Sequence, residues 1–218
     1  MSVYARWVLP RLTDLAMHNP VACAERLRFV PRAVGDVLEV GVGSGLNIAL
    51  YGPGVRTLHA LDPSRELLRM ARRRAARARV PVCFMHGSAE AIPLATGAVD
   101  TVVTTWTLCT IPDPVRALRE MRRVLRPDGR LVFVEHGRAP DPSVVAWQDR
   151  LTPLWRRIAG GCHLNRPVDH LLDQGGFQVT ELDRGYTHGW RAAAYLYRGL
   201  ARPAGPSRPL ANLGQESP

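Results

Sequence analysis

Between residues 36 and 135, short apolar runs alternate with helical patterns, and this alternation constrains the fold more than any other feature of the chain. The runs DVLEV (36–40), RTLHAL (56–61), VCFMH (82–86), VDTVVTT (99–105) and RLVFVE (130–135) have strand length and β-branched character. Helical patterns fall between them at 64–79 and 114–125, with a third over 142–158. Strand, helix, strand in this order predicts a doubly wound, mostly parallel α/β sheet with helices on both faces. RPDG (126–129) is a turn in which Pro127 presets φ and Gly129 permits the reversal. Two helical stretches, 3–17 and 20–30, precede the first strand. A helix near 167–174 and the segments 177–185 and 187–199 follow, the last two closing a seven-stranded sheet as antiparallel strands. The expected organisation is a helical cap (1–34), one domain (35–199) and a Pro-, Gly- and Ser-rich disordered tail (200–218).

The first strand ends in a glycine turn, DVLEVGVGSGLN (36–47). Gly41, Gly43 and Gly45 give G-x-G-x-G, whereas the dinucleotide fingerprint needs its third glycine at 46, occupied here by Leu46. Glu39, inside the strand, would repel a pyrophosphate and attract an ammonium group. A nucleoside carrying an amino-acid moiety therefore fits better than a dinucleotide. Asp62 ends the second strand at the offset where a carboxylate accepts hydrogen bonds from both ribose hydroxyls. Capping of the next helix is its bland alternative, for which Ser64 is equally qualified. HGSAEAIPL (86–94) follows strand three and would lie along a base, the N–H of Ala89 meeting a ring nitrogen. Strand four ends at Thr104 to Trp106, facing the substrate.

Taken together, LEVGVGSG, ALDPS, GSAEAIPL, VDTVVTTWTLCTIPDP and LREMRRVLRPDGRLVFVEHG resemble the class I S-adenosylmethionine-dependent methyltransferases over residues 36–137. The resemblance implies a Rossmann-like methyltransferase fold, S-adenosylmethionine as cofactor, and a site of Glu39, Gly41, Gly43 and Gly45 for the methionine moiety, Asp62 for ribose, Ser88 and Ala89 for adenine, and Thr105 at strand four. The family commonly has Asp where Ser88 stands, so Ser88 must make that contact more weakly or Glu90 must substitute. Residues 134–167 and TLCT (107–110) are further similar to animal methyltransferase-like proteins that methylate small alkyl thiols. That narrower likeness implies S-methylation of a small-molecule substrate, with phospholipid amines and quinone rings as competing acceptors. His136, after strand five, is the first candidate proton acceptor and His163 the second; Arg166 is a candidate contact for an anionic substrate group. Trp147, Trp155, His163 and Asn165 fall in an insertion expected to cover the methyl group.

All 29 basic residues are Arg, against 19 acids, for a formal charge of +10. Many lie on helical faces such as RELLRMARRRAARAR, which reads as solvation. Without a binding module or interleaved aromatics, nucleic acid is not expected as a partner, and peripheral contact with an anionic membrane stays open. No apolar run approaches the roughly 20 residues of a membrane span. The N-terminus is interrupted by Arg6, Pro10, Arg11 and Asp14, so cytoplasm is the expected compartment. Cys23, Cys83, Cys109 and Cys162 are scattered without a CxxC pair, so neither a metal site nor a disulfide framework is expected.

Overall fold

The structure is a computed structural model and describes residues 4–205. A seven-stranded sheet runs in the order β3-β2-β1-β4-β5-β7-β6. Strands β1 (Gly35–Val40), β2 (Val55–Asp62), β3 (Val82–His86), β4 (Val99–Thr105) and β5 (Leu125–His136) are mutually parallel. β7 (Tyr195–Pro203) is antiparallel to both β5 and β6 (Phe177–Tyr186), and lies between them.

The central strands are buried on both faces, and alternate residues supply two separate cores. On one face Val37, Leu58, Val103 and Val132 pack with Phe29 of α2 (Pro20–Phe29) and with Leu68 and Ala71 of α3 (Arg65–Ala75). On the other, Leu38, Val102, Leu131 and Phe133 meet Leu118 and Met121 of α4 (Pro114–Val124) and Leu172 of α6 (Val168–Gln174). α1 (Leu9–Ala16), continuous with a π-helical turn at Tyr4–Val8, and α5 (Pro142–Ile158) complete the helices. Ser64 and Asp113 cap α3 and α4 by accepting the Leu67 and Arg116 N–H groups.

Three expectations change. RPDG lies within β5 rather than before it: Val99 pairs with Leu125 and Thr101 with Arg130, so residues 126–129 loop out of the ladder. Residues 187–194 are not strand. Gly189 has φ +126°, the Trp190 ring packs against Trp155 with centroids 5.7 Å apart and planes tilted by 53°, and a 3-10 turn at Arg191–Ala193 delays β7 until Tyr195. β7 then runs to Pro203, so the boundary expected at 199 falls inside a strand; residues 206–218 of the expected tail lie outside the described residues. Among the described residues no helix is long and apolar enough to cross a membrane.

Candidate active site

The chain reverses its winding between β1 and β4, and in open α/β sheets ligands gather at the strand carboxyl ends beside such a switch. A cleft of about 360 Å³ opens there. Its lining takes in the glycine turn, Asp62, Ser88, Ala89 and Thr105 together with Leu9, Pro10, Met17, Ile111, Pro112 and Gly160. The three glycines of the turn, all with positive φ, do different things. A Cβ at Gly41 would sit 2.4 Å from Thr107 Oγ1, and one at Gly45 2.9 Å from Ala71 Cα, so both permit close packing. At Gly43 the nearest atom would be 3.9 Å away, leaving open space over the main chain.

Asp62 ties this turn to β2. Its Oδ2 accepts the Gly43 N–H at 2.9 Å and its Oδ1 the Ser64 N–H at 2.7 Å, which leaves further lone pairs on a carboxylate that lines the cleft. Burial pushes its carboxyl up, against the two main-chain hydrogen bonds. Capping of α3 falls to Ser64, at 3.3 Å from the Leu67 N–H.

Glu39 is buried in the cleft wall, and both its oxygens are engaged: Asn47 Nδ2 donates at 2.8 Å and Tyr51 OH at 2.9 Å. Burial raises this carboxyl to about 7 despite those bonds. Asn47 Nδ2 also reaches Thr105 Oγ1 at 3.1 Å, while its Oδ1 is buried without a partner among the described residues. Arg26, reaching in from α2, lies 5.1 Å from the Trp106 ring centroid, donates from Nη1 to the Met17 carbonyl at 2.8 Å, and has a buried Nε with no partner among the described residues. Asn47 and Arg26 both line the cleft and so bring polar side chains to its wall. Asp14 of α1 also lines the cleft and accepts from Ser44 Oγ and from Arg74 Nη1 (2.9 Å), joining cap, glycine turn and α3.

Trp106 is the one non-glycine residue with positive φ (50°) among the described residues. Its conformation is held from behind, since the buried Glu135 carboxylate accepts the N–H groups of Thr107 (2.8 Å) and Leu108 (3.1 Å) and the Thr104 hydroxyl (2.6 Å). Burial lifts this carboxyl too, to about 7.

Other expected residues are placed differently. Ser88 lines the cleft, but its hydroxyl donates to Glu90 at 3.0 Å; Glu90 is outside the lining and accepts the Asp113 N–H at 2.7 Å, so it does not replace an acid at 88. His136 is absent from the lining: its ring is buried and Nε2 lies 3.1 Å from Cys162 Sγ. His163 is absent also, its N–H and Nδ1 both directed at the Cys109 carbonyl (2.9 and 3.1 Å). Arg166 is buried and donates to the Leu108 and Ile111 carbonyls, bracing the loop after β4. Trp147 is exposed, and Trp155 packs on Trp190. Cys109, His136 and Cys162, which sequence spacing kept apart, converge with their ligand atoms all within 4.8 Å. A bond from Cys109, burial notwithstanding, and one from His136 hold the Cys162 thiol well below the usual thiol range. For the imidazole, burial opposes the charged form and is outweighed by Cys162, so His136 is shifted upward.

Fold and cleft together define an α/β domain whose cleft opens at the switch between β1 and β4. Residues 38–133 match the family model described as "Methyltransferase domain", and this part of the chain is a class I, S-adenosylmethionine-dependent methyltransferase domain. The chain is 36% identical over 152 residues to human thiol S-methyltransferase TMT1B, covering 68% of this chain and 62% of that protein. It is 35% identical over 151 residues to human thiol S-methyltransferase TMT1A, covering 67% and 62%. The chain thus spans about three fifths of the length of these relatives. Among solved structures, a methyltransferase from Bacillus halodurans superposes with TM-score 0.66 at 18% identity, over 85% of this chain and all of the other.

Proposed function

We propose that the chain transfers a methyl group from S-adenosylmethionine to a small soft nucleophile, a thiol before an amine or ring carbon. The observation that carries this is a single cleft lined both by the glycine turn and the Asp62 carboxylate and by apolar side chains of α1 and of the loop after β4. In this reading Asp62 receives the ribose hydroxyls, the open face at Gly43 admits the cofactor beside the main chain, and Ser88 and Ala89 border the adenine. Asn47 and Arg26, which line the cleft, suit the ammonium and the carboxylate of the methionine moiety. Glu39 acts through Asn47 and does not need to touch the ligand.

The cofactor supplies a methyl group on a sulfonium, so transfer requires alignment and exclusion of water. Trp106, Leu9, Pro10 and Met17 provide apolar lining for an acceptor. A thiol with an ordinary pKa of about 8.5 ionises without a strong base. That agrees with a cleft from whose lining both candidate histidines are missing. The thiol names of the TMT1 relatives add support.

The test is methyl transfer from labelled S-adenosylmethionine to a panel of alkyl and aryl thiols, phosphatidylethanolamine and quinols. Labelled thioether is expected. Transfer to the amine or ring carbon with none to any thiol would overturn the acceptor, and no product with any of them would overturn the activity.

A further inference from the structure

We propose that Cys109, His136 and Cys162 form a binding site for one thiophilic divalent cation, with zinc as the natural fit. The three residues come from three elements: the loop after β4, the last residue of β5, and the loop between α5 and α6. Their donor atoms converge within 4.8 Å, with His136 Nε2 and Cys162 Sγ at 3.1 Å. Zinc at its usual distances of about 2.3 Å to sulfur and 2.0–2.1 Å to nitrogen sets neighbouring ligand atoms roughly 3.5–3.8 Å apart. Side-chain adjustments of about an ångström or less would seat the ion. Two sulfurs and one imidazole select zinc or another soft metal over magnesium or calcium, whose ligands are oxygens.

The ligand-bearing segments are already fastened together. The His163 N–H and Nδ1 both meet the Cys109 carbonyl, and Arg166 bridges from the Cys162 side to the Leu108 and Ile111 carbonyls. Cys109 and His136 are buried and Cys162 half-buried, so the ion would be enclosed on the protein side. As two metal–sulfur bonds and one metal–nitrogen bond form, the protons carried by the sulfurs and by the imidazole leave to solvent, and three protein ligands leave one tetrahedral position. The same loops carry Ile111 and Gly160 into the cleft, so an ion here would also fix the apolar wall.

Cobalt(II) is the probe, added to tag-free, metal-stripped protein kept reduced with a phosphine. One equivalent is expected to give thiolate-to-cobalt charge-transfer absorption and tetrahedral d–d bands, both abolished by one equivalent of zinc. Cys162→Ser and His136→Ala should each weaken cobalt binding by about 100-fold or more, while Cys23→Ser and Cys83→Ser, at exposed cysteines, leave it unchanged. X-ray absorption on the zinc-loaded wild type is independent of variant folding and should show two sulfurs and one imidazole. No charge-transfer band, a sulfur-free shell, bands that survive Cys109→Ser/Cys162→Ser, or a 109–162 disulfide in protein isolated without oxidant would each overturn the site.

Discussion

The carboxylate of Glu135, at the end of β5, accepts the main-chain N–H of Thr107 at 2.8 Å and thereby holds the turn that swings Trp106 into the cleft. It also takes the Leu108 N–H and the Thr104 hydroxyl. Removing it strands buried donors as well as opening space, so Glu135→Ala should destabilise by about 3 kcal/mol or more. Glu135→Gln keeps an acceptor for the N–H groups and should cost about 1 kcal/mol. Urea unfolding of both variants at pH 7 measures this; equal midpoints would remove Glu135 as the holder of the turn.

The glycines of the cleft turn separate binding from packing. Gly43→Ala adds a methyl in open space at φ +57°, so it should cost about 1 kcal/mol of stability while weakening S-adenosylhomocysteine binding at least tenfold. Gly45→Ala meets Ala71 Cα at 2.9 Å in addition to its φ of +86°, and should cost roughly 2–4 kcal/mol. Calorimetric titration and thermal unfolding of the pair decide it. Undiminished affinity in Gly43→Ala would mean that no ligand passes over that face.

Much of this arrangement was legible along the chain because it is local. The five parallel strands follow from short β-branched runs, α5 from Pro142 at its start and Gly160 beyond its end, and the glycine turn with Asp62 from their 20-residue spacing. What escaped depends on distant segments. AAAYLY continues the apolar pattern of a strand, but Gly189 and the Trp155–Trp190 contact hold residues 187–194 out of the sheet. Arg26 and Asp14 reach the cleft from cap helices with no motif of their own, and Asn47 is separated from the glycines only by Leu46. Histidines chosen for their nearness to β5 and to the insertion turned out to be occupied by Cys162 and by the Cys109 carbonyl. No spacing rule links cysteines 53 residues apart.

Asp14 fastens α1 to the cleft through Arg74 and Ser44. Both ionic partners are less than one third exposed, so the pair stands at the upper end of the range for surface pairs, about 1 kcal/mol. Asp14→Asn and Arg74→Ala should each weaken S-adenosylhomocysteine binding about fivefold, and the double variant little further, because either change frees the cap. A double-mutant cycle by calorimetry tests this. Fully multiplicative losses would show that the two residues act separately.

Glu39 makes stability depend on pH in a direction opposite to that of an ion-paired carboxylate such as Asp14, whose folded value is lowered. Its ordinary value of 4.5 is raised to about 7 in the fold because burial disfavours the anion, the Tyr51 and Asn47 hydrogen bonds notwithstanding. Between those two values the folded state holds a proton that the unfolded chain has released, so stability falls as pH rises from 4.5 to 7 and is level outside that window. The full loss is about 3 kcal/mol, from a shift of a little over two pH units. Glu135 tilts the curve the same way, and Asp14, held below its ordinary value by Arg74 and Ser44 against its burial, tilts it the other way at lower pH. Glu39→Gln keeps both of these, so the difference between wild type and variant isolates Glu39: wild type should lose about 3 kcal/mol relative to the variant between pH 4.5 and 8. Chemical denaturation at half-unit steps provides the curves. Parallel curves would mean that Glu39 ionises in the fold as it does in the unfolded chain, and that the wall of the cleft is wetter than its buried geometry implies.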